Sequence, residues 1–178
     1  VNLSDAYIDL LEAGIDLALR EGRGDLPGMI VKPLAASRIL LCASPEYLQR
    51  CGTPQVANDL LSHQALLYEH VVLDRRWRLS LNEQSFILQP QGRLSSDNYD
   101  LLLAACLAGQ GVLDCPHWSV QPLLASGRLV QLLPDYQIAP DAFGPLLLAV
   151  YPSHRRATRK VQAFIEFIEA YLAARQLA

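Results

Sequence analysis

Residues 93–112 read RLSSDNYDLLLAACLAGQGV, and this stretch carries the clearest information about the fold. Its Ser95-Ser96-Asp97-Asn98 run offers several side-chain oxygens that can cap a helix. Leu101 to Ala108 is apolar on every side, which predicts a buried helix, and Gly109-Gln-Gly111 is typical of a helix end. Val112 to Cys115 is then predicted as a strand closed by a proline. The stretch therefore predicts a helix packed against a β-sheet, with polar side chains at the start of the helix.

The same alternation of short apolar strands and helices extends to both ends of the chain. We predict an α/β fold assembled from βα units. The predicted strands are Val1–Ser4, Ile15–Leu19, Ile39–Ala43, Ala65–Tyr68, Leu129–Leu133 and Leu146–Tyr151, together with a hairpin that joins Trp77–Leu81 to Ser85–Leu88. The predicted helices are Tyr7–Ala13, Pro45–Arg50, Trp118–Ala125 and a last helix that packs by a stripe of Val161, Phe164, Ile165, Ile168, Tyr171 and Leu172.

Composition and charge narrow the class of protein. The chain has 178 residues, of which 51% are hydrophobic and 19% are charged, so it can bury a core and is not intrinsically disordered. No apolar run reaches the roughly 18 residues that a membrane helix needs, and the first residues, VNLSDAYIDL, do not resemble a signal peptide. The net charge of -3 gives no general attraction to polyanions, which argues against nucleic-acid binding by this chain. We expect a globular, cytoplasmic protein that makes no contact with a membrane.

The residues that carry enzyme chemistry are not arranged for catalysis or for metal binding. The four cysteines form no CxxC pair, and the four histidines have no HxH or HxxxH spacing. The chain has no GxSxG elbow, and Gly109-Gln-Gly111 follows a helix instead of opening one, unlike a dinucleotide-binding loop. We therefore expect ligand binding without catalysis, cofactor or metal. Cys106 is expected in the core, Cys51 at a helix end, and Cys115 either in the core or beside a site.

Polar residues follow several of the predicted strands. In open α/β sheets, ligands bind beyond the carboxyl ends of the strands, where helix N-termini favour anions. Arg20-Glu21, Tyr68-Glu69, Ser95-Ser96-Asp97 and Asp114 occupy such positions, and Pro116 closes the strand that contains Asp114. These side chains suit a small polar ligand that carries a carboxylate. Ser96 and Asp97 could equally serve as helix caps.

Seven segments, taken in chain order, form a recognisable pattern. They are IDLLEAGIDLALREG (8–22), LLCASPEYLQRCGTP (40–54), Asp59-Leu60 with His63, WRLSLN (77–82), RLSSDNYDLLLAACLAGQGV (93–112), GRLVQLLPDY (127–136) and LAVYPSHRR (148–156). Together they resemble the C-terminal effector-binding domain of LysR-type transcriptional regulators. Each segment alone is loosely specific, but their order makes the resemblance strong, and it extends along the whole chain.

The resemblance implies two Rossmann-like lobes with a type 2 periplasmic-binding-protein architecture, crossed twice by the chain. Lobe I would contain residues 1–42 and 150–178, and lobe II residues 43–149, with hinges near Cys42-Ala43 and Val150-Tyr151. The first strand and helix of lobe I, which precede Val1 in the family pattern, have no counterpart here, and neither does the family's N-terminal helix-turn-helix. Asp114 stands where the family pattern has an apolar residue.

For function, the resemblance implies a domain of a bacterial regulator that binds a small-molecule effector in the cleft between the lobes. The expected contacts are Arg20, Glu21, Tyr68, Glu69, Ser95, Ser96, Asp97, Asp114 and Pro116. DNA would be bound only through the absent N-terminal domain. The full regulator would be a homodimer or a tetramer, although this chain is expected to associate weakly. Two alternatives stay open, an enzyme on the same two-lobed fold and a free-standing solute-binding protein.

Overall fold

The computed structural model describes residues 2, 8–22, 24, 26–69, 76–139, 144–153 and 158–174. In chain order its elements are β1 Ala18–Gly22, β2 Met29–Ala36, β3 Ile39–Ala43, α1 Pro45–Cys51, a 3-10 helix Ala57–Ser62, β4 Gln64–Tyr68, β5 Trp77–Leu81, β6 Gln84–Leu88, β7 Gln91–Ser96, α2 Tyr99–Leu107, β8 Val112–Pro116, α3 His117–Ala125, β9 Val130–Leu132, β10 Gln137–Ile138, β11 Leu146–Pro152 and α4 Arg159–Ala174. The predicted strand Val1–Ser4, apart from Asn2, lies outside the described residues.

Helix α1 shows how local sequence sets the ends of an element. The Ser44 hydroxyl accepts a hydrogen bond of 3.3 Å from the Tyr47 N–H, and Pro45 occupies the first turn. Gly52 follows the helix with a φ of 86°, a backbone conformation that glycine adopts without steric cost. The predicted start at Ser44-Pro45 and the predicted end at Gly52 are therefore confirmed.

One compact unit contains Arg38–Ala142 and is built on a mixed sheet. Its strands lie in the order β6-β5-β10-β3-β8-β4-β7, and β9 pairs with β3. β4 is parallel to both β7 and β8, whereas β3 is antiparallel to β8. Two hydrophobic clusters cover the sheet, one around Trp77 and the other around Cys106. They lie on opposite faces, because the neighbouring strand residues Leu41 and Cys42 belong to different clusters.

The other compact unit contains Ala6–Ser37 and Phe143–Ala178. Its sheet has three strands in the order β1-β11-β2, and both outer strands are antiparallel to β11. Helix α4 covers one face, where Ile165 packs in a cluster with Ala149. Leu148 belongs to a separate cluster on the opposite face. This unit is therefore a small α/β layer with its own core.

Within the described residues the chain passes from one unit to the other between Ser37 and Arg38, and it has passed back by Gly144. Cys42 and Ala43, where one hinge is predicted, lie inside β3 and are fully buried. No helix among the described residues is long and apolar enough to cross a membrane.

Three strands that the sequence patterns do not predict take part in these sheets, namely β2, β7 and the two-residue β10. β2 contains Lys32 and Pro33, and the pairing of β11 with β2 shifts its register between Leu147 and Leu148. A proline removes a backbone donor, so a register irregularity at that point is expected. β7 ends in Ser95 and Ser96, which the sequence pattern assigns to a helix cap or a ligand site and not to a strand. Lys32 and Pro33 interrupt the apolar pattern of β2, and the polar residues of β7 hide its strand character.

The amino-terminal elements also differ from the prediction. Strand β1 begins at Ala18 and ends at Gly22, three residues later at each end than the predicted strand Ile15–Leu19. The described part of the predicted helix Tyr7–Ala13 forms turns, in which an Asp9 carboxylate oxygen accepts a hydrogen bond of 2.8 Å from the Leu11 N–H. An aspartate that bonds to the backbone two residues ahead favours a turn over a helix.

Helix α2 is buried on one side only, and the prediction that it is buried all round is wrong. Leu102 and Cys106 are fully buried against the sheet, but the side chain of Leu101 is half exposed. The reason is the layer architecture, because a helix on the outer face of a sheet is covered from one side.

Helix α4 follows its predicted stripe in part. Val161, Ile165 and Leu172 are buried, but Phe164 and Tyr171 are each 42% exposed. The apolar surface of this helix is wider than the layer it covers.

Candidate functional site

The carboxyl ends of three parallel strands meet at one edge of the larger sheet. β4, β7 and β8 run in the same direction, and they end at Tyr68, Ser96 and Pro116. In sheets of this kind the carboxyl ends of the strands are where ligands bind. We call Tyr68, Glu69, Ser95–Asp97 and Pro116 the carboxyl edge.

Strands β4 and β7 place two of the predicted site residues side by side. Tyr68 is paired with Ser96 in the parallel register, and Leu67 is paired with Ser95. The Glu69 N–H extends the ladder by donating a hydrogen bond of 2.8 Å to the Ser96 carbonyl. Successive strand residues point to opposite faces, so Ser96 lies on the face of Tyr68, and Ser95 lies on the other face. The structure therefore brings Tyr68 and Ser96 together.

Glycines allow these strands to approach closely. A Cβ at Gly92 would lie 1.7 Å from the Ala65 carbonyl oxygen, which is impossible without a backbone shift. A Cβ at Gly111 would lie 2.5 Å from the Gln64 carbonyl oxygen. The parallel arrangement of β7, β4 and β8 therefore depends on residues that have no side chain.

The serines and Asn98 form the entry to helix α2. The Ser96 hydroxyl accepts a hydrogen bond of 3.0 Å from the Asn98 N–H, and the Asn98 side chain accepts one of 2.9 Å from the Leu101 N–H. Asn98 is therefore the helix cap, and Ser96 fixes the turn before it. Because the Ser96 hydroxyl is the acceptor in its bond with Asn98, its own proton can be donated to another group. Ser95 and Asp97 are exposed.

Helix α3 begins at the same edge, directly after Pro116. The His117 N–H donates a hydrogen bond of 2.8 Å to the Arg38 carbonyl, and the Ser119 hydroxyl donates one of 2.7 Å to the Pro116 carbonyl. The Tyr99 and Ser119 hydroxyls are hydrogen-bonded at 2.6 Å, which joins the first turns of α2 and α3. Two helix N-termini therefore lie together, and N-termini attract anions.

The carboxyl edge also has three neighbours that the sequence patterns miss, namely Tyr99, His117 and Ser119. Burial raises the pKa of the Tyr99 hydroxyl, so it stays protonated and can donate a hydrogen bond. Burial, and then the positive charge of Arg38, lower the pKa of His117 below its usual value. The signal that could have found them is position, because each lies in the first turn of a helix that follows a strand ending at the edge.

Asp114 lies two residues before Pro116 of the carboxyl edge and points to the opposite face from Cys115. It is paired with Leu41 across β3, on the face of the Trp77 cluster. Burial raises the pKa of the Asp114 carboxyl, and a hydrogen bond from the Trp77 side chain opposes this in part. The Trp77 indole can only donate, so the carboxyl is the acceptor. Asp114 is thus held by the core of the unit.

Arg20 and Glu21 lie in β1 of the smaller unit. Arg20 is paired with Leu148 and Glu21 with Leu147, so the two side chains point to opposite faces of that sheet. A carboxylate oxygen of Glu21 accepts a hydrogen bond from the hydroxyl of the buried Ser37. Glu21 therefore fixes the end of the segment from which the chain leaves this unit.

Three cysteines lie together in the core of the larger unit. Cys42, Cys106 and Cys115 are fully buried, and the sulfur atoms of Cys42 and Cys115 are 3.5 Å apart. The side-chain hydrogen bond with Cys42, together with burial, raises the pKa of the Cys106 thiol. Cys51 is exposed at the end of α1. Among the described residues, no group of three or more His, Cys, Asp or Glu side chains could hold a metal ion.

A shallow polar depression of about 340 Å³ lies at the other end of the same sheet. It surrounds the β5–β6 turn, where Asn82 and Glu83 both have positive φ. Its lining includes the carboxylates of Glu83 and Asp135 and no lysine or arginine, so it does not suit an anion. None of the predicted site residues lines it.

Comparisons with known proteins agree with this architecture. The chain matches the family model described as "LysR substrate binding domain" over residues 1–173. It is 33% identical to the HTH-type transcriptional regulator DmlR of Escherichia coli over 177 residues, which is 97% of this chain and 55% of DmlR. The chain thus spans about half the length of the curated relatives that it matches.

Solved structures give the same result. The CrgA regulatory domain from Neisseria meningitidis superposes with a TM-score of 0.82 at 30% identity, over 95% of this chain and 81% of that chain. The regulatory domain of AphB in Vibrio vulnificus gives a TM-score of 0.70 at 27% identity, over 92% of this chain and 78% of that chain. These neighbours have the type 2 periplasmic-binding-protein-like fold. With its motifs, its two α/β units and these matches, the chain belongs to the family of effector-binding domains of LysR-type transcriptional regulators.

Proposed function

We propose that this domain binds a small polar or anionic effector at the carboxyl edge. The observation that carries the proposal is the meeting of three strand ends with two helix N-termini, joined by the hydrogen bond between Tyr99 and Ser119. Such an arrangement offers hydroxyl and N–H donors and a favourable dipole to a carboxylate. Tyr68 and Ser96 are the central contacts in this proposal, and Pro116 fixes the start of α3.

The remaining contacts carry over from the family resemblance. Arg20 would supply positive charge for an anionic effector, and Glu21 and Glu69 would select for its polar groups. Asp97 is exposed at the edge, so a carboxylate there would disfavour a second negative charge on the effector. Asp114 would influence the effector site indirectly, through its hydrogen bond to Trp77 in the core of the unit.

We further propose that binding occurs without catalysis and regulates transcription. The relatives are transcriptional regulators, and the three buried thiols lie in the core where they cannot act as nucleophiles on an effector. In the full regulator the signal would reach a DNA-binding domain in the cytoplasm of a bacterium, within a homodimer or tetramer. DNA contact would belong to that other domain, because this chain has a net charge of -3.

Native mass spectrometry of the purified 178-residue chain tests for a bound effector. A co-purified small molecule should appear as a mass above that of the protein, and a thermal-shift screen of small carboxylic acids should raise the melting temperature. The double variant Arg20→Glu with Ser96→Ala should abolish that shift and leave the melting temperature without ligand nearly unchanged. Ser126→Ala is a matched control, because its exposed hydroxyl also makes one local hydrogen bond, to the Leu123 carbonyl at 3.1 Å.

An unaltered ligand shift in the double variant would remove the site assignment. Loss of the shift in Ser126→Ala as well would mean that the screen reports stability instead of binding.

A further inference from the structure

Arg38 directly precedes β3 and lies beside the carboxyl edge. β3 is antiparallel to β8, so the start of β3 is next to the end of β8, where Ile39 is paired with Pro116. The Arg38 carbonyl accepts a hydrogen bond of 2.8 Å from the His117 N–H, which continues the pairing by one residue. A cationic residue at the start of a strand therefore lies level with the residues that end the parallel strands. The contacts expected from the sequence do not include it.

Arg38 lies on the sheet face that also carries Tyr68 and Ser96. Leu40 packs in the cluster around Cys106, and alternate residues of a strand share a face, so Arg38 is on that face too. Tyr68 packs against the same cluster, and Ser96 shares the face of Tyr68. Arg38, Tyr68 and Ser96 therefore lie on one face of one sheet, at the same end of it.

The guanidinium of Arg38 is available to a ligand. Arg38 is exposed, and among the residues that the structure describes its side chain has no ion pair and no hydrogen bond. Arg50 of the same unit is held, in contrast, by Glu46 at 3.4 Å and by the Gly109 carbonyl at 2.6 Å. Burial, and then the positive charge of Arg38, lower the pKa of His117, so the guanidinium lies near that imidazole.

The charge of the carboxyl edge makes a neighbouring cation important. Glu69 and Asp97 are the charged residues of the carboxyl edge, and both are acidic. They would repel a carboxylate unless a positive charge lay closer to it. Arginine is always charged, and its planar group can donate two parallel hydrogen bonds to one carboxylate. Within the larger unit, Arg38 can therefore make an acidic edge accept a single carboxylate.

The strand order sets the distance between this charge and the hydroxyl of Ser96. β3 and β7 are separated by three steps in the order β3-β8-β4-β7, and neighbouring strands lie about 4.8 Å apart, which places the two backbones about 14 Å apart. The long arginine side chain spans part of this distance. The remainder suits a short chain molecule with a polar group at each end. Because Asp97 follows Ser96, the group at that end should carry no negative charge.

We propose that Arg38 selects the carboxylate of the effector, and that the effector is a short monocarboxylate whose other end carries a neutral hydrogen-bond acceptor for Ser96. This inference rests on the effector site proposed above and specifies the chemical class that the site binds. The Ser96 hydroxyl donates its proton to the neutral end, and the Arg38 guanidinium donates two N–H groups to the charged end.

Four related small molecules test the class of the effector. γ-Hydroxybutyrate has both features, its amide lacks the charge, butyrate lacks the hydroxyl, and succinate carries a second carboxylate in place of the hydroxyl. Each is titrated into the ¹⁵N-labelled 178-residue chain, and NMR follows the backbone N–H signals of Ser96 and His117. γ-Hydroxybutyrate should bind about tenfold or more tightly than its amide, because hydrogen bonds between charged partners are the stronger ones. It should also bind more tightly than butyrate and succinate.

Variants of Arg38 test its role. Arg38→Gln should remove the preference for the acid over the amide, and Arg38→Lys should retain part of it, because lysine keeps the charge without the fork of donors. Arg128→Gln is the matched control, since Arg128 is also exposed in the larger unit and its side chain has no ion pair or hydrogen bond within the described part of the chain. This control should leave all four affinities unchanged.

The imidazole of His117 gives a second readout that needs no ligand. The pKa of His117 should rise in Arg38→Gln, because the nearby positive charge is removed, and it should stay constant in Arg128→Gln. An NMR titration of the imidazole measures both, and the His117→Asn variant identifies its signal. An unchanged pKa in Arg38→Gln would show that the guanidinium lies elsewhere and would overturn the proposal.

The ligand titrations separate this inference from the proposed effector site. An unchanged preference for the acid in Arg38→Gln would overturn the role of Arg38, and succinate binding as tightly as γ-hydroxybutyrate would overturn the chemical class. In both cases saturable shifts of the Ser96 and His117 signals would leave the effector site standing. If none of the four molecules shifts either signal, the inference and the proposed site both fail.

Discussion

The hydroxyls of Tyr99 and Ser119 lie 2.6 Å apart and join the first turns of α2 and α3. Ser119 also donates to the Pro116 carbonyl at 2.7 Å, so the end of β8 is fixed to both helices. This pair therefore sets the spacing of the two helix N-termini that the proposed effector site uses.

The Tyr99–Ser119 hydrogen bond should be measurable by a double-mutant cycle. Tyr99→Phe and Ser119→Ala should each lower the free energy of unfolding by about 1 kcal/mol, because each removes a partner of the same hydrogen bond. The double variant should lose less than the sum of the single variants. Urea unfolding checks this. Tyr99→Phe combined with Ser126→Ala, at the far end of α3, should be additive, and strict additivity for Tyr99 with Ser119 would show that the bond contributes nothing.

Asp114 should make the stability of the domain fall as pH rises. Its pKa is raised in the folded chain, so the unfolded chain loses this proton first when pH rises through the ordinary aspartate range. Stability then falls with rising pH until pH passes the folded pKa, and above that pH the whole contribution is lost. Asp114→Asn should remove this part of the pH dependence while it keeps an acceptor for Trp77. Chemical unfolding from pH 4 upward measures the slope.

Trp77→Phe is a second variant, which should change the pH dependence of stability in the opposite direction to Asp114→Asn. It removes the hydrogen bond that favours the ionised carboxylate, so the decline of stability should extend to higher pH and the total loss should be larger. A slope that is identical in all three proteins would mean that Asp114 titrates alike in the folded and unfolded chain.

Gly92→Ala should destabilise the larger unit and disorder the carboxyl edge. The new Cβ would lie 1.7 Å from the Ala65 carbonyl oxygen, so β7 must move away from β4. Backbone displacement of this kind costs on the order of 3 kcal/mol. Gly127→Ala, which meets no atom within 4 Å but has a φ of 71°, should cost only about 1 kcal/mol. Thermal unfolding compares them, and equal losses would refute the close approach of β4 and β7.

One of the four cysteine thiols should react fast with a thiol reagent, and the other three should react slowly. Cys51 is exposed, whereas Cys42, Cys106 and Cys115 are fully buried, so a disulfide reagent should react with the buried thiols more than about a hundredfold more slowly. Cys51→Ser should remove the fast phase, and urea should make all remaining thiols fast. A second fast thiol in the native chain would show that the core around Cys106 opens readily.

The isolated chain should show no sequence-specific DNA binding. Its net charge is -3, and specific binding needs phosphate contacts that a basic surface supplies. A gel shift with the promoter region upstream of its own gene should give no discrete complex at moderate salt. A discrete complex that survives competitor DNA would contradict the assignment of DNA binding to another domain.

Local chemistry predicts the elements whose ends are marked in the sequence. Ser44 and Pro45 start α1 as expected, and the hairpin turns at Asn82 and Glu83, which both have positive φ. β2 escapes prediction because Lys32 and Pro33 interrupt its apolar pattern, and its strand character comes from pairing with β11. Such pairing is a tertiary effect that local propensity does not contain.

The candidate site likewise depends partly on local sequence and partly on tertiary pairing. Tyr68 and Ser96 could be selected from sequence because each is a polar residue beside a predicted element end, but their pairing depends on the parallel register of β4 and β7. Tyr99 and Ser119 could be selected only as first-turn residues, because a helix start gives no information about which other helix start lies beside it. The sequence thus indicates which residues lie at the carboxyl edge better than it indicates which of them are in contact.

The location of Trp77 and Trp118 has a practical consequence for how this protein is studied. The chain has two tryptophans, and both belong to the compact unit that contains Arg38–Ala142. Tryptophan emission therefore reports on the unfolding of that unit, whereas far-ultraviolet circular dichroism reports on the secondary structure of both. If the two units melt independently, the optical signals will not superimpose, and a single fluorescence curve would record the stability of only one of them.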